Sequence, residues 1–180
     1  TWHDGEPLTA EDVYFTYHDV IQHPEFENPI LSSSFSNVTV ELVDEQTVTM
    51  TLNEPNSFFF TQLTVGLLPQ HILSEVPVSE LDTHEFNQQP IGNGPYQVSA
   101  PYESHKDGSS KVELEYFNDY WTGATPDITE INFVAFLTYE ELLSEKGQVH
   151  GIARVPKYRL EETQIERFEA YEYLLPQYTA

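Results

Sequence analysis

Thr1-Trp2-His3-Asp4-Gly5-Glu6-Pro7-Leu8-Thr9-Ala10-Glu11-Asp12-Val13 carries the decisive local signals of the chain. Its first four residues read as the tail of a strand, and Asp4-Gly5 makes a tight turn because glycine tolerates backbone angles that side chains oppose. Thr9 is a good N-cap, and Asp12, three residues on, completes an approximate capping box with Asp in place of the usual Glu or Gln. The spacing predicts a helix from Ala10 to Gln22 with Val13, Tyr17, Val20 and Ile21 on one buried face. His23-Pro24 ends it, since the residue before proline resists helical geometry.

Beyond this helix the pattern is read as irregular through Pro29 and Ser32-Ser33-Ser34. A hairpin follows. Val38, Val40 and Leu42 alternate on one strand and Val48, Met50 and Leu52 on the other, around a turn at Asp44-Glu45. Pro55-Asn56-Ser57 leads into a short helix from Phe58 to Leu63, and Pro69 starts another ending near Leu73. Residues 74–90 read as a loop with at most one helical turn.

Ile91-Gly92-Asn93-Gly94-Pro95-Tyr96 changes the character of the chain. Strands are expected from Tyr96 to Tyr102 and from Val112 to Phe117, flanking a turn at Lys106-Asp107-Gly108-Ser109. A strand from Glu130 to Phe136, a helix from Tyr139 to Glu145 capped by Gly147, and a strand from Gly151 to Val155 suggest a βαβ crossover with parallel pairing. A helix from Arg159 to Glu166 and a strand from Phe168 to Leu175 close the sequence. The fold class expected is α/β, mixed with α+β.

Composition narrows the partners. The chain of 180 residues has 30 acidic residues against 7 Lys and Arg, a formal net charge of −23, and no Lys or Arg precedes Lys106. Such a surface repels phosphate backbones, which excludes nucleic acid as a partner. The acids are scattered, the mark of a solvated acidic surface and not of an acidic tail. With 39% hydrophobic and 13% aromatic residues the chain can bury a core. Its longest apolar runs fall far short of a membrane span. Zero cysteines rule out disulfides, thiolate catalysis and zinc–thiolate sites.

Catalytic patterns are missing as well. The sequence has no Gly-x-Ser-x-Gly elbow, no phosphate-cradling glycine loop and no His-Glu-x-x-His. Acidic pairs are too abundant to mark a glycosidase. Of the seven histidines only His18 and His23 lie close, and Pro24 breaks the helix that would pair them. The expectation is no catalytic residue, no metal and no cofactor; a hydrolase or metalloenzyme is the rival class.

Five segments in order carry a family resemblance. They are the opening stretch Trp2 to Val13; Val43-Asp44-Glu45-Gln46-Thr47-Val48-Thr49-Met50-Thr51-Leu52-Asn53-Glu54-Pro55; Leu68-Pro69-Gln70-His71-Ile72-Leu73; Pro90 to Tyr96; and Asn118-Asp119-Tyr120-Trp121-Thr122-Gly123 with Pro126. Together they resemble the peptide- and nickel-binding family of extracellular solute-binding proteins, family 5, with Asn93 where the family usually has Thr. These motifs read as architectural: glycines at turns, and Trp2, Tyr120 and Trp121 as large faces that lock turns onto a core.

What the resemblance implies is an internal fragment of a two-lobed receptor, the substrate-binding subunit of an ABC importer. Such a receptor captures oligopeptides outside the cell and passes them to permease subunits. A nickel chelate or an oligosaccharide is the alternative solute. Residues 1–87 would form the small extra domain and residues 88–180 a segment of a main lobe of the type II periplasmic-binding-protein kind. The protein would sit at the cell surface or in the periplasm, anchored by a lipid outside this stretch. The ligand-facing candidates are Ile30, on the loop after the first helix, and Gln177 and Tyr178 at the end of the last strand. For all three, ordinary packing stands beside ligand contact as an open alternative.

Overall fold

A computed structural model describes residues 1–104, 109–123, 126–153, 155, 157–163 and 169. The chain divides into two compact units, Thr1–Glu103 with Lys111–Phe133, and Ser104–Ser110 with Val134–Ala180.

In the first unit the opening helix forms where the sequence places it. α1 (Ala10–Tyr14) is capped by Thr9 in a full capping box with Asp12. It continues as a π-helical stretch, Phe15–Ile21. There the Thr16 hydroxyl donates to the Asp12 carbonyl at 2.7 Å, a side-chain intrusion of the kind that loosens a helical ladder. The helix buries two faces, not one. Tyr17 and Ile21 join Phe35, Val38, Val40 and Phe59 in one core cluster, while Phe15 and Val20 meet Leu73 in a second. A helix covered on two sides needs apolar residues around most of its circumference, which the one-face pattern understated.

The stretch expected to be irregular is helical. α2 (Pro29–Phe35) is capped by the Asn28 side chain, which accepts from the Leu31 amide, and has Pro29 at the first helical position. Asn at the cap and Pro at the first position are strong start signals that outweigh three serines of modest helix propensity. Phe35 ends this helix fully buried.

β1 (Val38–Asp44) and β2 (Thr47–Leu52) pair antiparallel, with Val38 opposite Leu52, Val40 opposite Met50 and Leu42 opposite Val48. The hairpin is the expected one. Its turn falls on Glu45-Gln46, one residue later than expected, and the Asp44 carboxylate accepts from the Gln46 amide. α3 (Phe59–Gln62) and α4 (Gln70–Leu73) are the two short helices. The region expected to hold at most one helical turn has two 3₁₀ turns, Val78–Glu80 and Glu85–Gln88. The second is capped by His84, whose Nδ1 accepts from the Phe86 amide.

β3 (Tyr96–Val98) is shorter than expected. β4 (Glu103–Ser104), β5 (Ser110–Tyr116) and β6 (Glu130–Ala135) complete a four-stranded sheet in which β5 pairs with each of the others. β3 and β5 are antiparallel, Tyr96 opposite Tyr116. Most of the turn expected at Lys106-Asp107-Gly108-Ser109 lies outside the described residues.

In the second unit α5 (Tyr139–Glu145) is capped by Thr138 in a box with Glu141. Gly147 follows it without a left-handed backbone, so it is not a glycine cap of the usual kind. A 3₁₀ turn, Lys157–Arg159, leads into α6 (Leu160–Thr163). Arg159 pairs with Glu140 at 3.3 Å and lies 4.5 Å from the Tyr139 ring centroid. The strand expected from Gly151 to Val155 is absent among its described residues, 151–153 and 155, and with it the parallel crossover. Gly151 and Ala153 have low strand propensity, and the two β-branched residues, Ile152 and Val155, would point to opposite faces of a strand, so neither face carries more than one anchor. The strand expected from Phe168 to Leu175 lies outside the described residues except residue 169.

Candidate functional site

The resembling segments converge in space. Trp2, 1% exposed, donates its indole N–H to Asp12 Oδ2 at 3.2 Å. The same oxygen accepts from the Thr9 amide at 2.9 Å, and Oδ1 accepts from the Gln70 amide at 2.9 Å. One buried carboxylate therefore ties the opening turn, the start of α1 and the start of α4. Thr16 adds a second tie, its hydroxyl accepting from the Leu68 amide at 2.9 Å.

His3 makes the complementary clasp. Its Nδ1 accepts from the Gly92 amide at 3.2 Å and its Nε2 donates to the Gly94 carbonyl at 2.9 Å. A donor on one side and an acceptor on the other fix the imidazole as the neutral Nε2–H tautomer. The ring also packs 4.9 Å from Phe117, whose amide donates to the Pro95 carbonyl. A Cβ placed on Gly92 would lie 3.3 Å from His3 Cε1, so this glycine serves close approach. Left-handed backbone occurs instead at Gly5 (φ 93°) and Gly123 (φ 65°). Gly92→Ala should therefore destabilise the chain by about 1–2 kcal/mol, in the range of overpacking. Gly94→Ala, with open space around its Cβ, should stay within about 0.5 kcal/mol. Equal melting temperatures for the two variants would disprove the close-approach role.

Asp4 and His71 form a third tie. His71 Nε2 donates to Asp4 Oδ2 at 2.8 Å, and the Glu6 amide donates to Asp4 Oδ1 at 3.1 Å. Partial burial pushes the Asp4 carboxyl up, but the bond from His71, the bond from Glu6 and the imidazole charge bring it below the ordinary carboxylate value. A depressed folded-state value contributes stability above the unfolded value, near 3.9, and that contribution is lost as pH falls through the folded one. Wild type should thus lose more melting temperature than Asp4→Asn on acidification below about pH 4. Parallel curves for the two proteins between pH 5 and pH 3 would sink this.

A cleft of about 460 Å³ adjoins the clasp, walled by Leu8, Asn93, Phe117, Asp119 and Trp121. Trp121 was expected to lock its turn onto the core, but it stands 81% exposed with its ring 5.8 Å from Tyr120. The buried aromatic of this turn is Phe117, so the neighbouring indole is free to face outward.

Of the ligand-facing candidates, Ile30 occupies the second position of α2 and is 81% exposed, while Leu31 beside it packs against the core. Gln177 and Tyr178 lie outside the described residues. Among the described residues no group of three His, Asp or Glu could hold a metal ion. His18 pairs with Asp19 and stacks on Tyr14, and His23 accepts from the Glu25 amide. Sequence reasoning missed the reach of Asp12 to Gln70 and of His3 to Gly92 and Gly94; contacts 58 and about 90 residues apart leave no local signal.

In this mixed helix-and-sheet frame the motif side chains hold the chain's own turns together. The chain belongs to the bacterial extracellular solute-binding proteins of family 5, whose middle region matches residues 1–175. It is 33% identical over 125 residues to the oligopeptide-binding protein AppA of Bacillus subtilis, covering 68% of this chain and 22% of that one. A Brucella ovis protein named for ABC transporter peptide binding is 36% identical over 132 residues, with 72% and 24% covered. The structure of Bacillus subtilis AppA in complex with a nonapeptide superposes with a TM-score of 0.68 at 27% identity, over 82% of this chain and 29% of that one. Campylobacter jejuni NikZ in complex with Ni(L-His) gives 0.62 at 27% identity, over 82% and 28%. The fold is thus that of the type II peptide-binding class of periplasmic binding proteins. The chain spans about a quarter of the length of these curated relatives.

Proposed function

We propose that this chain is an internal part of the substrate-binding receptor of an ABC importer, which captures oligopeptides outside the cell and delivers them to permease subunits without catalysing a reaction. The family match over residues 1–175 carries this reading, and the likeness to oligopeptide-binding AppA supports peptide as the solute. Residues 1–87 supply the small extra domain and residues 88–180 a segment of the main lobe. The receptor works at the cell surface or in the periplasm, anchored by lipid. Ile30, Gln177 and Tyr178 face the ligand. The likeness to NikZ with its nickel–histidine complex favours a metal chelate as the second reading.

Because Ile30 is 81% exposed, Ile30→Trp should leave the melting temperature nearly unchanged. In the full-length receptor it should alter peptide preference, since an aromatic wall replaces an aliphatic one. Unchanged selectivity across a peptide panel would remove Ile30 from the site. Native mass spectrometry of the receptor as purified tests the solute: co-purified peptide supports the reading, and a nickel chelate in its place supports the second.

A further inference from the structure

We propose that a groove between β2 and α3 docks a folded protein partner that presents a bulky apolar side chain flanked by lysines or arginines. The groove encloses about 530 Å³ and is walled by Val13, Met50, Leu52, Phe59, Phe60 and Leu63. That volume suits one or two large side chains. Met50 brings a side chain that adapts to irregular shapes.

Local geometry keeps the groove open. α3 spans only Phe59–Gln62, and successive helical residues point about 100° apart, so a single face of so short a helix is buried. Phe59 takes that place at 7% exposure, leaving Phe58 at 72% and Phe60 at 81%. On the strand side Val48, Met50 and Leu52 are only half-buried, although Val38 and Val40 across the hairpin are buried. The exposed Phe60 ring beside a half-covered apolar wall is the composition of an interface core.

Charge selects the occupant. None of the lining residues is charged, and the exposed Glu54 immediately precedes lining Pro55. Lys111 is the single Lys or Arg in this compact unit, and its ammonium pairs with Glu113. A second copy would bring −23 against −23, and an anionic lipid surface would meet the same repulsion. A partner with basic residues around its apolar knob is attracted by the same field. The lining side chains offer little to hold a free peptide's backbone or ends. Asn56 is its one side chain with hydrogen-bonding groups, and its Oδ1 already accepts from the Phe58 amide. The grip is on side chains, which fits a folded partner. Ile30 is not among the lining residues, and the inference does not depend on the transported solute.

The test is fluorescence anisotropy with the 180-residue chain and a labelled helical peptide bearing a leucine face flanked by lysines. Controls are a twin with glutamates for lysines, a twin with serines for leucines, and the tripeptide Lys-Leu-Lys. The leucine–lysine helix should bind at least about tenfold more tightly than every control. Phe60→Ser, at an exposed site, and Met50→Trp, which fills the groove, should each weaken it by about tenfold, as for an interface anchor. Melting curves of both variants verify that the fold is kept. Equal binding of the serine twin would make the attraction diffuse charge, and equal binding of the glutamate twin would make it unselective apolar contact. Equal binding of the tripeptide would make the occupant a free peptide. Unchanged affinity in both variants, self-association through the groove in sedimentation, or no binding by the full-length receptor, whose remaining chain would then cover the groove, would likewise overturn the proposal.

Discussion

Asp12→Ala should cost about 3–5 kcal/mol of folding stability and lower the melting temperature by on the order of 10 °C. Asp12 is 3% exposed, and its carboxylate accepts from Trp2 Nε1, the Thr9 amide and the Gln70 amide. Removing it strands three donors, each costing about 1–3 kcal/mol where no water reaches it. It also removes a negative charge from the first turn of α1, where the helix dipole favours one. Asp12→Asn should recover part of the loss, because one oxygen still accepts while the amide group must face a donor. Chemical denaturation of both variants checks this. A loss below about 1 kcal/mol for Asp12→Ala would mean that water replaces the carboxylate and that the three segments are held by other contacts.

Phe35→Ala should be about as damaging, at about 3–5 kcal/mol, the range for emptying a buried phenyl site. Phe35 is 0% exposed, its ring lies 4.9 Å from that of Tyr17 and 6.2 Å from that of Phe59, and its carbonyl accepts from the Gln22 side chain at 2.8 Å. The ring sits where the first helix, α2, the hairpin and α3 meet, so nothing small can move in to fill the space. Leu142→Ala, on half-buried α5 in the other compact unit, is a control expected to cost less. A Phe35→Ala loss no larger than that of the control would mean that the Phe35 ring does not anchor this core.

These two residues also mark how far the sequence could be read. Asp12 was legible as a capping residue because Thr9 stands three positions before it, a local pattern with a local cause. Its bond to Gln70 was not, since nothing near position 12 encodes which amide arrives from position 70. Phe35 was hidden because three serines obscured α2, although Asn28-Pro29 held the start signal. The hairpin's two strands were legible from strict alternation, but its register was not, since the turn falls one residue later than expected and the pairing shifts between Leu42 and Asp44. The return strand expected after α5 was a topological habit applied to a run whose two β-branched residues, Ile152 and Val155, cannot share one strand face, and it failed at residues 151–153 and 155.

For the candidate site, the motifs identified the family but described the frame more than the ligand. His3, Asp4, Asp12 and Gly92 are engaged with the chain itself. Ile30 was placed from the resemblance and stands exposed at the start of α2, whereas Gln177 and Tyr178 lie outside the described residues.

We propose that this chain belongs to a receptor that binds oligopeptides and leaves them intact. Titration calorimetry of the full-length receptor against short peptides, followed by mass analysis of the recovered peptide, tests it most directly. The expected result is saturable binding at micromolar or lower concentration with every peptide recovered at its original mass. Cleaved peptide, or no peptide binding beside saturable binding of a nickel chelate or an oligosaccharide, would contradict it.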